Sequence, residues 1–268
     1  MLAALELADR LDVDAILRMQ AALLESTAPE LVGLRSGPVW IGGGGSTPLT
    51  ADFVPPVHSR VLPALEDLVS FMARDDLPVL VQAAVAHAQF ETIHPFADGN
   101  GRTGRALVHA LLRAKGVTSR VTVPFSGGLL HDRASYFDSL DAYRAGNIEP
   151  VVTSFALSAL HAVEHGRIMQ AQLDGVRDGW RAAVKARADS AVWRLLDELV
   201  AHPVVDAALA ARVVGVAEPN IHRHLAVLTD AGIVRPLKHH KSRRILWRAP
   251  EVLAILDDYA AQVGRRGR

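Results

Sequence analysis

Apolar residues recur at helical spacing along most of the chain. Leu2, Leu5, Leu11, Ile16, Leu17, Met19, Leu23 and Leu24 predict helix, with a break near Asp12 or Asp14, either of which could cap the second piece. Val57 to Ala73 predicts an amphipathic helix. Leu77 to Ile93 is apolar almost all round, the mark of a helix in the middle of a bundle. A helix from about Asn100 to Lys115 should end at Gly116, which suits the left-handed position after a helix. Further helices are predicted around His131–Ala145 and from Glu149 to about Arg187.

Two segments depart from this pattern. Ser36 to Pro56 holds four prolines and the run Gly42-Gly43-Gly44-Gly45, flanking Val39-Trp40-Ile41. It reads as a loop with a short extended piece, either a surface connection or a hairpin. From about Ala188 the units become short. Helices are predicted over Ala191–Ala201, Pro203–Val213 and Glu218–Ala231, followed by two β-like runs from Gly232 to Arg248 around a basic tip. Three helices and a β-hairpin follow the order of a winged helix-turn-helix. The expected organisation is therefore a mainly α domain over 1–187, with a flap at about 36–56, and a winged helix-turn-helix domain over 188–268.

Charge supports that boundary. The whole chain has 29 Lys+Arg and 29 Asp+Glu, but residues 188–268 carry net +3 and residues 1–187 net −3. A polybasic whole-chain binder is excluded. The 268 residues contain no cysteine, which removes disulfides, zinc ribbons and cysteine nucleophiles. The first residues lack the basic and apolar regions of a signal peptide. The longest apolar run, Leu77 to Phe90, is too short for a membrane span. The expected setting is the cytoplasm, with no membrane partner.

The chemistry concentrates in His94-Pro95-Phe96-Ala97-Asp98-Gly99-Asn100-Gly101-Arg102-Thr103-Gly104-Arg105. A buried helix should end near Ile93, and a Gly-Asn-Gly turn should open the next one. The first N–H groups of that helix lack intrahelical partners and sit at the positive end of its dipole. Glycines let a ligand approach the backbone closely. The product is an anion site, most naturally for phosphates. Arg102 and Arg105 lie three apart on one helical face and can bond phosphate oxygens. Asp98 is a hard oxygen ligand that suits Mg²⁺ bridging phosphates. His94, at the rim, can act as a general base. Taken singly, a histidine at a helix end, a Gly-x-Gly turn or two arginines on a helix usually have structural explanations. Their combination within twelve residues does not.

This constellation resembles the Fic family, whose pattern H-x-F-x-[DE]-G-N-G-R-x-x-R is matched at every defined position. Val39-Trp40-Ile41-Gly42 and Phe53-Val54-Pro55-Pro56 are similar to the family's flap hairpin and the segment after it, and Tyr136-Phe137, with Leu140 and Gly146, to its adenine-side helix. The likeness covers roughly residues 1–170. It implies a helical core that transfers AMP from ATP to a Ser, Thr or Tyr hydroxyl of a target protein, with Mg²⁺ as cofactor. His94 would deprotonate the hydroxyl, and Phe96 would anchor the loop. Asp98 would hold the metal against the α- and β-phosphates. Gly99, Asn100 and Gly101 would form the anion hole, with Thr103 and Gly104 in the same nucleotide-binding segment. Arg102 would assist the phosphates and Arg105 would bind the γ-phosphate. The flap, including Ile41, Gly42 and Gly43, would dock the target by main-chain pairing, and Tyr136 would lie near the adenine or ribose. A phosphotransferring branch has Lys where this chain has Gly101, so Gly101 favours AMP transfer. Phosphocholine transfer, the chemistry of a divergent branch, is disfavoured because the motif is intact.

Many relatives carry an inhibitory helix with [ST]-x-x-x-E-[GN]. The nearest match, Ser26-Thr27-Ala28-Pro29-Glu30-Leu31, has Leu31 in place of Gly or Asn and Pro29 inside the segment, so it is expected to be a coincidence. The first core helix starts close to Met1, which raises the expectation that an upstream inhibitory helix has been lost.

A second function class comes from the C-terminal segment. Asn220, His222, Arg223 and His224 would present polar edges from the third helix to the DNA major groove. Arg235, Lys238, Lys241, Arg243, Arg244 and Arg248, with no acid among them, would form a phosphate-contacting wing. The alternative function is thus a DNA-binding regulator whose core binds nucleotide without efficient transfer. Winged helices also serve as protein-interaction or dimerisation modules, so a homodimer is a further candidate assembly.

Overall fold

A computed structural model describes residues 7–43, 47–118, 132–238 and 245–264. The chain divides into two compact units, residues 1–162 and 163–266.

The first unit is built around α3 (Val79–Ile93), which follows α1 (Val13–Leu24) and α2 (Val61–Met72). Asp12 caps α1, its carboxylate accepting from Ala15 N at 2.8 Å. Ala83, Ala84, Ala86, Ala88, Phe90 and Ile93 bury α3 on every side, as its sequence requires. It packs between α2 and α4 (Asn100–Ala114), whose Ala106, Leu107, Val108, Ala110, Leu111 and Leu112 are also buried. Gln82 is the polar exception on α3 that holds an end in place. Its amide donates to Phe71 O, Met72 O and Arg74 O, closing the C-terminus of α2. The α5 helix (Arg133–Arg144) lies against α3, and α6 (Glu149–Ala183) adds Val151 and Phe155 to the same core.

Among its described residues, the segment expected as a flap hairpin holds one antiparallel bridge, Ile41 to Phe53, with a 3₁₀ turn at Pro48–Thr50 between them. Three main-chain bonds of 2.9–3.2 Å make that bridge. Gly42 and Gly43 turn the chain at φ 73° and 74°. A Cβ on either would lie 1.7 Å from Asp52 Oδ2 or Thr50 O, so only glycine fits. Gly44 and Gly45 of the glycine run, and His131 at the expected start of α5, lie outside the described residues.

The second unit has its own core. The α7 helix (Ala191–Ala201) buries Val192, Leu195, Leu196 and Leu199 against α8 (Ala207–Val214) and α9 (Glu218–Asp230). Strands β1 (Val204–Val205), β2 (Arg235–Lys238) and β3 (Ile245–Arg248) form an antiparallel sheet in the order β1-β3-β2. The sequence places a helix from Pro203. Instead Val204 and Val205 pair with Arg248 and Trp247, and Asp206 then caps α8 through Leu209 N at 2.8 Å. A further helix, α10 (Pro250–Gly264), follows β3 and has no counterpart in the sequence reading, although Pro250 at its first turn and Val252, Ile255 and Leu256 mark it.

The packing division falls at 162/163, whereas composition changes at 187/188. Trp180 and Val184, at the end of α6, belong to the second core. The Trp180 indole donates to Glu251, and Arg181 makes a two-pronged pair with Asp197 at 2.8 and 2.7 Å. Among the described residues no helix is long and apolar enough to cross a membrane.

Separate cores give a direct expectation. Leu195 is fully buried and Leu256 is 38% exposed. Leu195→Ala should destabilise the second unit by about 2–5 kcal/mol, and Leu256→Ala by no more than about 0.5 kcal/mol. Urea unfolding followed by the fluorescence of Trp180, Trp193 and Trp247 reads this unit; equal effects of the two substitutions would refute the assignment of the core.

Candidate active site

The α3 helix ends at His94, which takes a left-handed conformation, φ 48° and ψ 63°. It is the single non-glycine residue with positive φ among the described residues. That conformation costs an L-residue about 1–2 kcal/mol and persists only where the surroundings enforce it. The His94 N–H still closes the last turn on Phe90 O at 2.9 Å, and Pro95 then stops the helix.

Three polar side chains hold the loop that follows. Arg35 is buried, and its Nε donates to His94 O at 2.8 Å. Its Nη atoms reach Ile93 O, Gly37 O and Pro56 O, and its main-chain N donates to Pro95 O at 3.0 Å. One guanidinium thus satisfies carbonyls at the negative end of α3 and ties both sides of the flap segment to them. Asn100 brackets Phe96: Oδ1 accepts from Phe96 N at 3.0 Å, and Nδ2 donates to Phe96 O at 2.9 Å. Gln20 donates to Leu31 O at 2.8 Å and Asp98 O at 3.3 Å, and accepts from Gly33 N at 3.1 Å. Phe96 itself is fully buried, its ring 6.2 Å from that of Phe90.

With the loop fixed, α4 opens at Gly99, φ 87°, and no side chain caps it. Asp98 lies beside this end. Its Oδ1 accepts from Gly99 N at 2.6 Å, and Oδ2 pairs with Arg102 Nη2 at 3.1 Å. Both side chains are about half exposed. Gly101 lies close to Arg105: a Cβ at 101 would stand 3.2 Å from Arg105 Nη1. Thr103 is fully buried, and Gly104 faces α3, so neither side opens to solvent.

Electrostatics sets the protonation of the site. Burial, reinforced by Arg35 and Arg144 and opposed by the Glu91 carbonyl, pushes His94 down to about 4, so its imidazole is neutral near pH 7. Burial pushes Glu91 up to about 7, against the pull of Arg105 and Arg144. Burial likewise lowers His87 to about 4. Tyr136 is buried, its hydroxyl spent on His87 Nε2 at 2.8 Å, and its ionisation is pushed upward by that burial. Its neighbour Phe137 is the exposed aromatic of α5, 5.5 Å away ring to ring. At the flap, the Arg144 guanidinium covers the Phe53 ring at 3.6 Å.

Four residues of the site escape sequence reasoning: Gln20, Arg35, Glu91 and Arg144. Glu91 had a signal, as the one charged residue of an otherwise near-apolar helix, one turn before His94. Gln20 had a weaker one, sitting on the apolar face of α1 beside Ile16 and Met19. Nothing local marks Arg35 or Arg144.

In the second unit, Asn220, His222 and Arg223 are exposed on α9, and the His222 ring meets Trp247 edge-on at 5.8 Å. His224 is instead buried, accepting from Arg223 Nε at 3.3 Å, so it presents no edge to solvent. Lys238 ends β2, while Lys241, Arg243 and Arg244 lie outside the described residues.

Comparisons with known proteins fall on the same region of the chain. The Fic/DOC family model matches residues 10–112. The chain is 29% identical over 148 residues to a protein adenylyltransferase of Caenorhabditis elegans, covering 54% of this chain and 26% of that protein. It is 37% identical over 68 residues to a probable protein adenylyltransferase of Aquifex aeolicus, covering 25% of this chain and 21% of that protein. It spans about a quarter of the length of such curated relatives. In fold it is similar to a Fic family protein from Desulfovibrio desulfuricans, with TM-score 0.53, 19% identity, and coverage of 92% of this chain and 72% of that one. The motif loop and the side chains that fix it lie within the residues matched, and this segment, residues 10–112, is a Fic/DOC family domain.

Proposed function

We propose that this chain is a protein adenylyltransferase, moving AMP from ATP to a Ser, Thr or Tyr hydroxyl of a target protein. The observation that carries the reading is a neutral, buried imidazole, His94, held beside the uncapped N-terminus of α4. A hydroxyl is a poor nucleophile and needs a base; a phosphate undergoing attack needs N–H groups and cations. His94 takes the hydroxyl proton as the oxygen attacks the α-phosphorus, and the bond to pyrophosphate breaks. The main-chain N–H groups from Gly99 to Gly101 receive phosphate oxygens, and Arg102 and Arg105 add charge-assisted bonds. Asn100 contributes by its main chain, because its side chain is occupied with Phe96. Ile41, Gly42 and Gly43 offer the flap backbone to the target segment.

Mg²⁺ fits the residues present. Asp98 offers one half-exposed carboxylate, a hard oxygen donor at the opening of α4. That suits an ion bound mostly by phosphate oxygens and water. Asp98 would hold it, and its charge would offset that of the phosphates. Glu30 lies exposed in a one-turn 3₁₀ segment, Pro29–Leu31, not in a helix.

A second reading, DNA binding through residues 188–268 as a winged helix-turn-helix, has its own observation. Arg235 and Arg248 are directly opposite in the β2–β3 ladder, and both are exposed. Like charges in that position repel unless an anion lies between them. A DNA phosphate is the natural anion, with Asn220 and Arg223 on α9 as base-edge or backbone contacts.

Two measurements check these readings. His94→Ala should lower transfer from α-labelled ATP by at least about 10²-fold, with ATP affinity by calorimetry unchanged; transfer at the parental rate would remove His94 as the base. In an electrophoretic shift titrated with salt, Arg235→Ala and Arg248→Ala should each weaken DNA binding and flatten its salt dependence by about one phosphate contact. No shift by the parent chain at low salt would refute the second reading alone.

A further inference from the structure

The proposal begins with a carboxyl group that no conventional structural role explains. Glu91 is the only charged residue of α3 and is 8% exposed. Its Oε1 is buried with no hydrogen-bond partner, and so is His94 Nδ1, although the Glu91 main-chain carbonyl also acts on that imidazole. Leaving such groups unsatisfied is costly, more so for a charged one. A residue kept only for packing would be apolar here. Glu91 Oε2 stands 4.0 Å from His94 Nδ1, a separation that a small side-chain adjustment closes to a hydrogen bond.

The fold makes room for this pair. Gly104 on α4 has no Cβ; one built there would sit 2.8 Å from Glu91 Oε1 and 3.0 Å from Phe90 Cδ1. The left-handed turn at His94 brings the imidazole back over the last turn of α3, where residue 91 lies one turn earlier. The other ionisable groups facing the pair are known. His87 and Tyr136 lie beyond Glu91, Arg105 faces it from α4, and Arg144 faces it from α5; Arg35 and Arg144 face His94.

We propose that Glu91 is the positioning partner of His94: its carboxylate keeps the imidazole proton on Nδ1, so that Nε2 is left to accept the proton of the target hydroxyl. When Nε2 takes that proton the ring becomes an imidazolium between two guanidinium groups, and Glu91 supplies the missing negative charge. No proton moves to Glu91. The role follows from elementary electrostatics: an anion beside one ring nitrogen favours the tautomer protonated there and stabilises the charged ring. Its catalytic part rests on the adenylyltransferase reading; the tautomer itself does not.

The pH dependence has a definite sign. Glu91 is pushed up to about 7 by burial, so its carboxylate is lost as pH falls through that value. Transfer should therefore decline on the acid side of about pH 7, well above the ionisation of His94 itself.

The test compares the parent chain with Glu91→Gln and Glu91→Asp. Imidazole ¹⁵N spectra of the nucleotide-free chain are assigned to His94 by difference from His94→Ala. In the parent His94 should be the Nδ1–H tautomer. In Glu91→Gln the Nε2–H form should gain and the protonation midpoint should fall; Glu91→Asp should restore both in part. In the transfer assay Glu91→Gln should lower kcat by about 10- to 100-fold. Its KM for ATP should stay within about threefold, and the acid limb near pH 7 should disappear. Thermal midpoints establish that the variants are folded, and if Glu91→Gln is not, the Asp variant carries the comparison through a shifted midpoint. A His94 tautomer and midpoint identical in parent and folded variants would overturn the proposal, as would a rise in KM with kcat unchanged. The expected spectra with no transfer by the parent would sustain the positioning role and refute the adenylyltransferase reading.

Discussion

The left-handed turn at His94 is the constraint on which the site depends. A helix ending on an L-residue in that conformation is unfavourable alone, and its terminal carbonyls point into the protein. Arg35 resolves both problems by placing one buried guanidinium across Ile93 O and His94 O. Asn100 and Gln20 then fix the next five residues from α4 and α1. With these contacts made, the N-terminus of α4 and the backbone of His94 are held in one relative position, and Phe96 in the core keeps them there.

Charge balance is the second level of organisation. Arg35, Arg105 and Arg144 bring three positive groups to a largely buried site, and Glu91 is the carboxyl buried among them. Burial, reinforced by Arg35 and Arg144, keeps His94 neutral, whereas Arg102 and Arg105 are the groups that would hold phosphate. A neutral imidazole at pH 7 thus rests first on burial and then on the positive charge of Arg35 and Arg144. Arg144 extends it to the flap by stacking on Phe53, while Arg35 joins the flap's flanks through Gly37 O and Pro56 O.

The motif from His94 to Arg105 was legible because its chemistry is local: glycines, a cap, and side chains within one turn of each other. The buried character of α3 was equally legible from its unbroken apolar run. What escaped is long-range. Arg35 bonds carbonyls 58 and 59 residues away, and Gln20 bonds one 78 residues away, contacts that no periodicity encodes. Val204 and Val205 read as the start of a helix because β1 exists only through its pairing with β3. Asn100 read as a ligand for anions, yet its amide is committed to the backbone of Phe96, which the residue type alone could not reveal. The α10 helix, by contrast, was marked by its own apolar spacing.

The claim that Arg35 sets the turn, and the turn sets the base, is tested most directly by Arg35→Lys. Lysine keeps the positive charge at the end of α3 but lacks the fork that spans several carbonyls. AMP transfer from α-labelled ATP and ATP affinity by calorimetry should be measured at a temperature where parent and variant are both folded. The account predicts transfer lowered by at least about tenfold, with ATP affinity little changed, because Asn100 and Gln20 still hold α4 while the imidazole loses its alignment. Parental transfer from the folded lysine variant would contradict it.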